Sequence, residues 1–463
     1  MANRILVKGG SVITVDPDLG DLPQGDVLVE DGKIVAIGPD LGVEDAEVID
    51  ASDRLVMPGL IDTHRHTWQA LFRNIASDWT LAHYFTGLHG TMSELYQPED
   101  TYAGNLIGTL EALDSGITTL VDWSHNLNTP QHTDAAIDAA IESGGRVVFA
   151  HGGGFQHWQP PSPVPHPADD VRRIRNGRLS SDDALVTLFL APRGNQFATM
   201  EVTELDWALA KELGLRITCH FGDGEWGKNR PVAALNEKGL LGPTMTFVHC
   251  NTLADDELQM MADHGVSASI SPDIELQMGH GWPATGRLLD HGIRPSLSID
   301  VCSSNGGHLF GTMRATIGTQ RGFDNEAARD AGKASVDLIE TTCRDVLEFA
   351  TIDGARACGL DSKVGSLAVG KRADILLIRT DTFGMTPLNN PIGQFVYNAH
   401  PGLVDTILVD GKIVKRDGKM LNLDEARVRR LATEARDGIM QRAGGKGGAR
   451  IGGDWIPKAY GAE

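Results

Sequence analysis

The sequence predicts an α/β protein, a parallel (β/α)8 (TIM) barrel with a small β-sandwich domain built from both chain ends. Three observations predict it. Residues 57–360 alternate short apolar runs with longer helical patterns, the two ends share a repeated turn, and metal-competent residues recur just past the apolar runs. A chain of 463 residues has room for one large barrel and a smaller domain. Residues 1–56 and 361–421 are assigned to the small domain, 57–360 to the barrel, and 422–463 to a C-terminal helix and Gly-rich tail.

The N-terminal stretch reads as hairpins. Ile5 to Val7, Ser11 to Val15, Asp26 to Val29 and Lys33 to Ile37 are β-branched runs parted by Gly-Gly, Pro-Asp and Asp-Gly turn signals. A matching β-rich stretch returns in Gly365 to Leu367, Ala373 to Ile378 and Val404 to Val414. Glu30-Asp31-Gly32-Lys33-Ile34-Val35 and Val409-Asp410-Gly411-Lys412-Ile413-Val414 are nearly the same turn with the same flanks. Pairing the two ends, with the middle of the chain inserted between them, is the simplest arrangement.

In that middle the strand candidates are 59–63, 118–122, 146–150, 185–190, 216–219, 245–248, 266–270 and 295–299. Helical patterns such as Thr133 to Ser143, Glu204 to Leu213 and Asp255 to His264 fall between them. This alternation suits a closed parallel barrel. The competing open doubly wound sheet lacks the G-x-G-x-x-G that would follow its first strand. Asp424 to Arg442 reads as a charged helix, and Trp455, Ile456 and Tyr460 favour docking of the Gly-rich end over fraying.

Composition narrows the function classes. A net charge of −21 argues against nucleic acid or an anionic membrane as partner, since both need basic patches. The five cysteines are scattered with no C-x-x-C pair, which fits a reducing cytosol better than a disulfide framework. No apolar run reaches the length of a membrane span, and Ile5-Leu6-Val7 is too short for a signal peptide. The expectation is a cytoplasmic protein with a small-molecule partner.

The chemistry begins at Met57-Pro58-Gly59-Leu60-Ile61-Asp62-Thr63-His64-Arg65-His66. Residues i and i+2 of a strand share a face, so His64 and His66 aim into one space, as two ligands of one ion must. An isolated H-x-H is more often a surface pair. Here His220 follows the fifth strand candidate, His249 the sixth and Asp300 the eighth. In parallel barrels that end of the strands carries the chemistry, and three imidazoles with a carboxylate suit Zn²⁺ or a similar divalent ion.

These residues resemble the amidohydrolase superfamily, in particular its cytosine, adenosine-related and guanine deaminases and triazine or thiocarbamate hydrolases. The resemblance covers P-G-L-I-D-T-H-x-H, His220, His249, Asp300 and the late phrase from Gly365 to Asp374. It implies that His64, His66, His220 and Asp300 hold one divalent metal per subunit, Zn²⁺ ahead of Fe²⁺, Co²⁺ or Mn²⁺. It further implies that His249 orients the attacking water or polarises the substrate, and that the protein forms homo-oligomers, dimers or tetramers. Relatives with two metals use a lysine after the fourth strand. This chain has Leu190-Ala191-Pro192-Arg193 there, and an arginine stays protonated.

One departure bears on the reaction. The deaminases carry H-x-x-E after the fifth strand, whereas this chain has His220-Phe221-Gly222-Asp223 with Glu225 two residues later. Either Asp223 or Glu225 takes over the proton transfer, with Asp300 a further catalytic carboxylate, or the leaving group needs less help than ammonia does. The substrate-contact candidates are Trp68, Gln69, Phe155, Arg193 and Glu275. Arg193 either meets a substrate carbonyl or carboxylate, or pairs with Asp122. The leading expectation is a metal-dependent hydrolase. It would use metal-activated water on an sp² carbon of a small cyclic or aromatic substrate, at an amide, thiocarbamate or related bond. The alternatives are an aminohydrolase of a purine, pyrimidine or triazine and, last, a non-catalytic assembly protein on the same fold.

Overall fold

The computed structural model describes residues 4–154 and 160–461. The chain folds into two compact units. One is Met1–Asp62, Ala112–Thr119 and His308–Leu423; the other is Thr63–Glu111, Leu120–Gly307 and Asp424–Glu463.

Both chain ends build one mixed sheet. Its order is Lys419–Met420, Lys412–Arg416, Val404–Val409, Ile375–Arg379, Arg54–Pro58, Arg4–Val12, Leu22–Glu30 and Lys33–Gly38, with Glu47–Asp50 also on Arg4–Val12. The join is the antiparallel pairing of Ile375–Arg379 with Arg54–Pro58, Leu377 opposite Val56. Alternate residues such as Val7, Val27, Val56, Ile375, Leu377 and Leu408 share one buried cluster, as a period of two requires.

The repeated turns meet face to face. Asp31 and Asp410 have φ of 47° and 51°, and the following Gly32 and Gly411 have 82° and 75°, the pair of left-handed residues a tight hairpin needs. A Cβ on Gly411 would lie 2.4 Å from Gly32 Cα. Gly411→Ala therefore meets both a disfavoured φ and a backbone clash. We expect it to cost about 1–3 kcal/mol, read as a lower urea midpoint at unchanged slope.

The parallel barrel consists of β1 (Leu60–Arg65), β2 (Ile117–Ser124), β3 (Arg146–His151), β4 (Val186–Leu190), β5 (Ile217–Phe221), β6 (Met245–His249), β7 (Ser267–Ile270) and β8 (Ser296–Leu297). They neighbour one another in chain order. Helices Pro130–Ser143, Met200–Leu213 and Asp255–Asp263 connect successive strands where the periodicity places them. The first and last strands meet because Asp300 N donates to His64 O at 2.9 Å and His66 N to Asp300 O at 2.8 Å.

Below that junction, hydroxyls fill the interior. Thr63 Oγ1 lies 2.7 Å from Ser269 Oγ and 2.9 Å from Ser296 Oγ, and Ser271 Oγ lies 2.7 Å from Ser298 Oγ. Small, mutually satisfied side chains let β1, β7 and β8 approach closely without an unpaired polar group.

The C-terminal helix Glu425–Ala443 buries Val428, Ala432, Ala435, Ile439 and Ala443, a helical stripe. Trp455 is docked: its ring lies 4.9 Å from that of Trp79, whose Nε1 donates to Trp455 O at 2.8 Å. Ile456 and Tyr460 remain exposed. No helix among the described residues is long and apolar enough to cross a membrane.

Candidate metal centre and its cavity

β1 delivers His64, and His66 follows at its end. Their ring centroids are 4.6 Å apart, while Arg65 between them is buried and paired with Glu111. His64 Nε2 lies 3.2 Å from His220 Nε2 and 3.2 Å from Asp300 Oδ1, and His66 Nε2 lies 3.4 Å from that same oxygen. His66 Nδ1 sits 2.7 Å from Trp123 O. A carbonyl only accepts, so the proton is on Nδ1 and the lone pair of Nε2 faces Asp300.

Electron-rich atoms this close repel unless they share a cation. Four donors about 2.0–2.1 Å from a tetrahedral ion stand about 3.4 Å apart, close to the spacings found here. Burial, then the charge of His64, pushes His66 down to about 3; burial lowers His64 and His220 too. The imidazoles are thus neutral, as metal ligands must be. Burial pushes the Asp300 carboxyl up, but His64, His249 and His66 outweigh it and hold it ionised.

β6 ends in His249, whose φ is 78°, and Asp300 has φ 60°. Such strain, of about 1–3 kcal/mol per residue, collects where a side chain must be aimed rather than relaxed. Glu275 Oε1 lies 3.2 Å from His249 Nδ1 and accepts from Ser271 N. His249 Nε2 lies 3.6 Å from Asp223 Oδ1 and 3.8 Å from Asp300 Oδ2. Burial lowers the His249 pKa, yet Asp223, Glu275 and Asp300 reverse this and raise it to about 9. Asp223 is itself fixed by Gln196, whose Nε2 donates to Oδ2 at 2.9 Å. Burial raises its carboxyl, but His249 and His280 keep it below the ordinary value.

A cavity of about 60 Å³ opens onto His66, His220, His249, Asp300 and Asp223. Its far wall includes Tyr84, Phe85, His89, Trp123, His125 and Phe197. Phe85 and His89 come from a π-helical segment, Phe85–Met92, a geometry common at functional sites.

A model described as "Amidohydrolase family" matches residues 55–414. The chain belongs to the amidohydrolase family. It is 31% identical over 444 residues to a 5'-deoxyadenosine deaminase of Methanothermobacter thermautotrophicus, covering 93% of this chain and 97% of the relative. A zinc-bound adenosine deaminase from Xanthomonas campestris shares the fold at a TM-score of 0.81, with 23% identity over 94% of this chain and 98% of that one. So does a zinc-complexed atrazine chlorohydrolase from Arthrobacter aurescens, at 0.81 and 22%, over 93% and 100%.

In this amidohydrolase the predicted residues separate. His64, His66, His220, His249, Asp300 and Asp223 converge. Glu225 does not: it is exposed and paired with Lys228. Arg193 lines the cavity and donates to Ser162 Oγ. Its alternative partner is otherwise engaged, because Asp122 accepts from Thr67 and Asn105. Glu275, an expected substrate contact, is buried beside His249 Nδ1 and is not among the residues lining the cavity. Trp68 and Gln69 are also buried, Trp68 Nε1 donating to His125 Nδ1 at 2.9 Å and Gln69 Nε2 donating to the Tyr84 hydroxyl. Phe155 lies outside the described residues. Sequence reasoning missed His89, His125 and His280. His125, one residue past β2, was open to the strand-end logic that found His220.

Proposed function

We propose that this amidohydrolase removes an exocyclic amine from a small planar ring by hydrolysis, with one divalent ion, zinc first, held by His64, His66, His220 and Asp300. The convergence of His66 Nε2, His64 Nε2, His220 Nε2 and the Asp300 carboxylate carries the metal part of this reading. A divalent ion bound there supplies Lewis acidity, lowering the pKa of a water ligand from 15.7 to about 7. Asp223, ionised and held at the cavity by Gln196, takes the proton released as the C–O bond forms. His249, kept protonated by its carboxylate neighbours, offers an N–H to the substrate atom on which negative charge grows. Arg193 supplies a second cation for a ring carbonyl or a carboxylate. Deaminases among the sequence relatives support the amine as leaving group.

Metal analysis with a hydrolysis screen tests the reading. We expect about one metal per chain and ammonia release from aminated purines, pyrimidines or triazines. Protein without metal, or turnover confined to N-substituted amides and thiocarbamates, contradicts it. Glu275→Gln gives a finer check. A rate that needs protonated His249 falls as pH rises through the His249 pKa, which its carboxylate neighbours raise. Removing the Glu275 charge should move that basic limb down by about one unit. A limb that stays in place would separate His249 from the pH profile.

A further inference from the structure

Asp223 is one methylene shorter than a glutamate, and the side chain that meets it in the cavity is His280. The turn Gly279-His280-Gly281 presents it, with φ of 135° at Gly281, a conformation essentially reserved for glycine. Gly224 N donates to His280 O at 2.7 Å, pinning that turn to the loop that carries Asp223. His280 is 4% exposed, its Nδ1 is 3.4 Å from Asp223 Oδ1, and its ring centroid is 4.5 Å from that of His249. Neither ring nitrogen of His280, nor Asp223 Oδ1, has a hydrogen-bond partner of good geometry among the described residues. Burying such groups without partners is costly, and the cost calls for a reason.

We propose that His280 is a catalytic residue that completes Asp223 as a two-residue proton relay, an inference that rests on the hydrolytic reading above. As water oxygen bonds to the ring carbon, the ring C=N π pair moves onto its nitrogen, to re-form the double bond when the amine leaves, and one water proton passes to Asp223. Asp223 hands a proton to His280 Nδ1 while Nε2 of the same ring releases one to the departing nitrogen. The C–N electron pair leaves with that nitrogen, now ammonia. One proton enters the ring and one leaves, and exchange with solvent restores the starting tautomer. The imidazole thus spans the distance that the short aspartate does not.

The test uses the metal-loaded full chain. His280→Asn keeps a polar side chain but cannot relay a proton, and should lower kcat about 100-fold with KM within about threefold and metal content unchanged. In an Asp223→Glu background the same substitution should cost less than about fivefold, because the glutamate reaches unaided. Unchanged kcat, an equal loss in both backgrounds, or metal content that falls with His280→Asn overturns the relay; so does a wild-type content of two metals. A substrate-free arm keeps the two readings apart. With ¹⁵N-labelled histidine, Asp223→Asn should shift the His280 ring-nitrogen resonances, and unmoved resonances overturn the pairing even if no screened compound is hydrolysed.

Discussion

His220→Ala is expected to remove both the metal and the reaction. His220 Nε2 stands 3.2 Å from His64 Nε2 at the end of β5, in a group with His64 and His249 whose ligand atoms lie within 4.8 Å of one another. Losing the Lewis acid removes several kcal/mol of transition-state stabilisation, a fall in kcat of about 10³-fold or more. Metal content should drop from about one per chain to a small fraction of that under the same dialysis. The fold should persist, because the strand pairing of β5 with β6 is main-chain and runs from Ile217 to Phe221. Retained metal would mean that the ligand set is wrong.

Asp223→Asn is the second large effect and has the opposite signature. The amide still accepts from Gln196 and keeps nearly the same shape, but it cannot take a proton. We expect kcat to fall about 10²–10⁴-fold with metal retained. A comparable fall in metal content would move Asp223 from proton transfer to metal binding. The contrast between the two variants separates holding the ion from moving the proton.

Much of the fold was legible because the strands are short, β-branched and evenly spaced. All eight barrel strands fall within a few residues of their predicted places. β8 is only Ser296–Leu297, although main-chain bonding to β7 continues where Ser298 N donates to Ile270 O at 2.9 Å. The convergence of His64, His66, His220 and Asp300, the proposed metal ligands, was legible for a related reason, since strand ends in a parallel barrel all arrive on one side. The choice between Asp223 and Glu225 was not. It depends on Gly222, where φ of 90° turns the chain so that Asp223 enters the cavity and Glu225 faces solvent.

Glu275 shows a second limit. Its place after β7 puts it near the site, but only the helix Pro272–Met278 determines that its carboxylate lies on the Nδ1 side of His249. His89 and His280 sit on a π-helical segment and a glycine-flanked turn. Neither follows the two periodicities that sequence reading relies on. Residues positioned by irregular backbone are the ones a sequence conceals, and here they line the cavity.

Three imidazoles and one carboxylate are proposed to hold a single ion. X-ray absorption at the metal edge of protein loaded with one equivalent of zinc tests this most directly. Nitrogen and oxygen neighbours only are expected, at about 2.0–2.1 Å, with multiple scattering from three imidazole rings. Sulfur scattering at about 2.3 Å, which would implicate Cys219 or Cys250, or scattering from fewer than three imidazole rings, would contradict it.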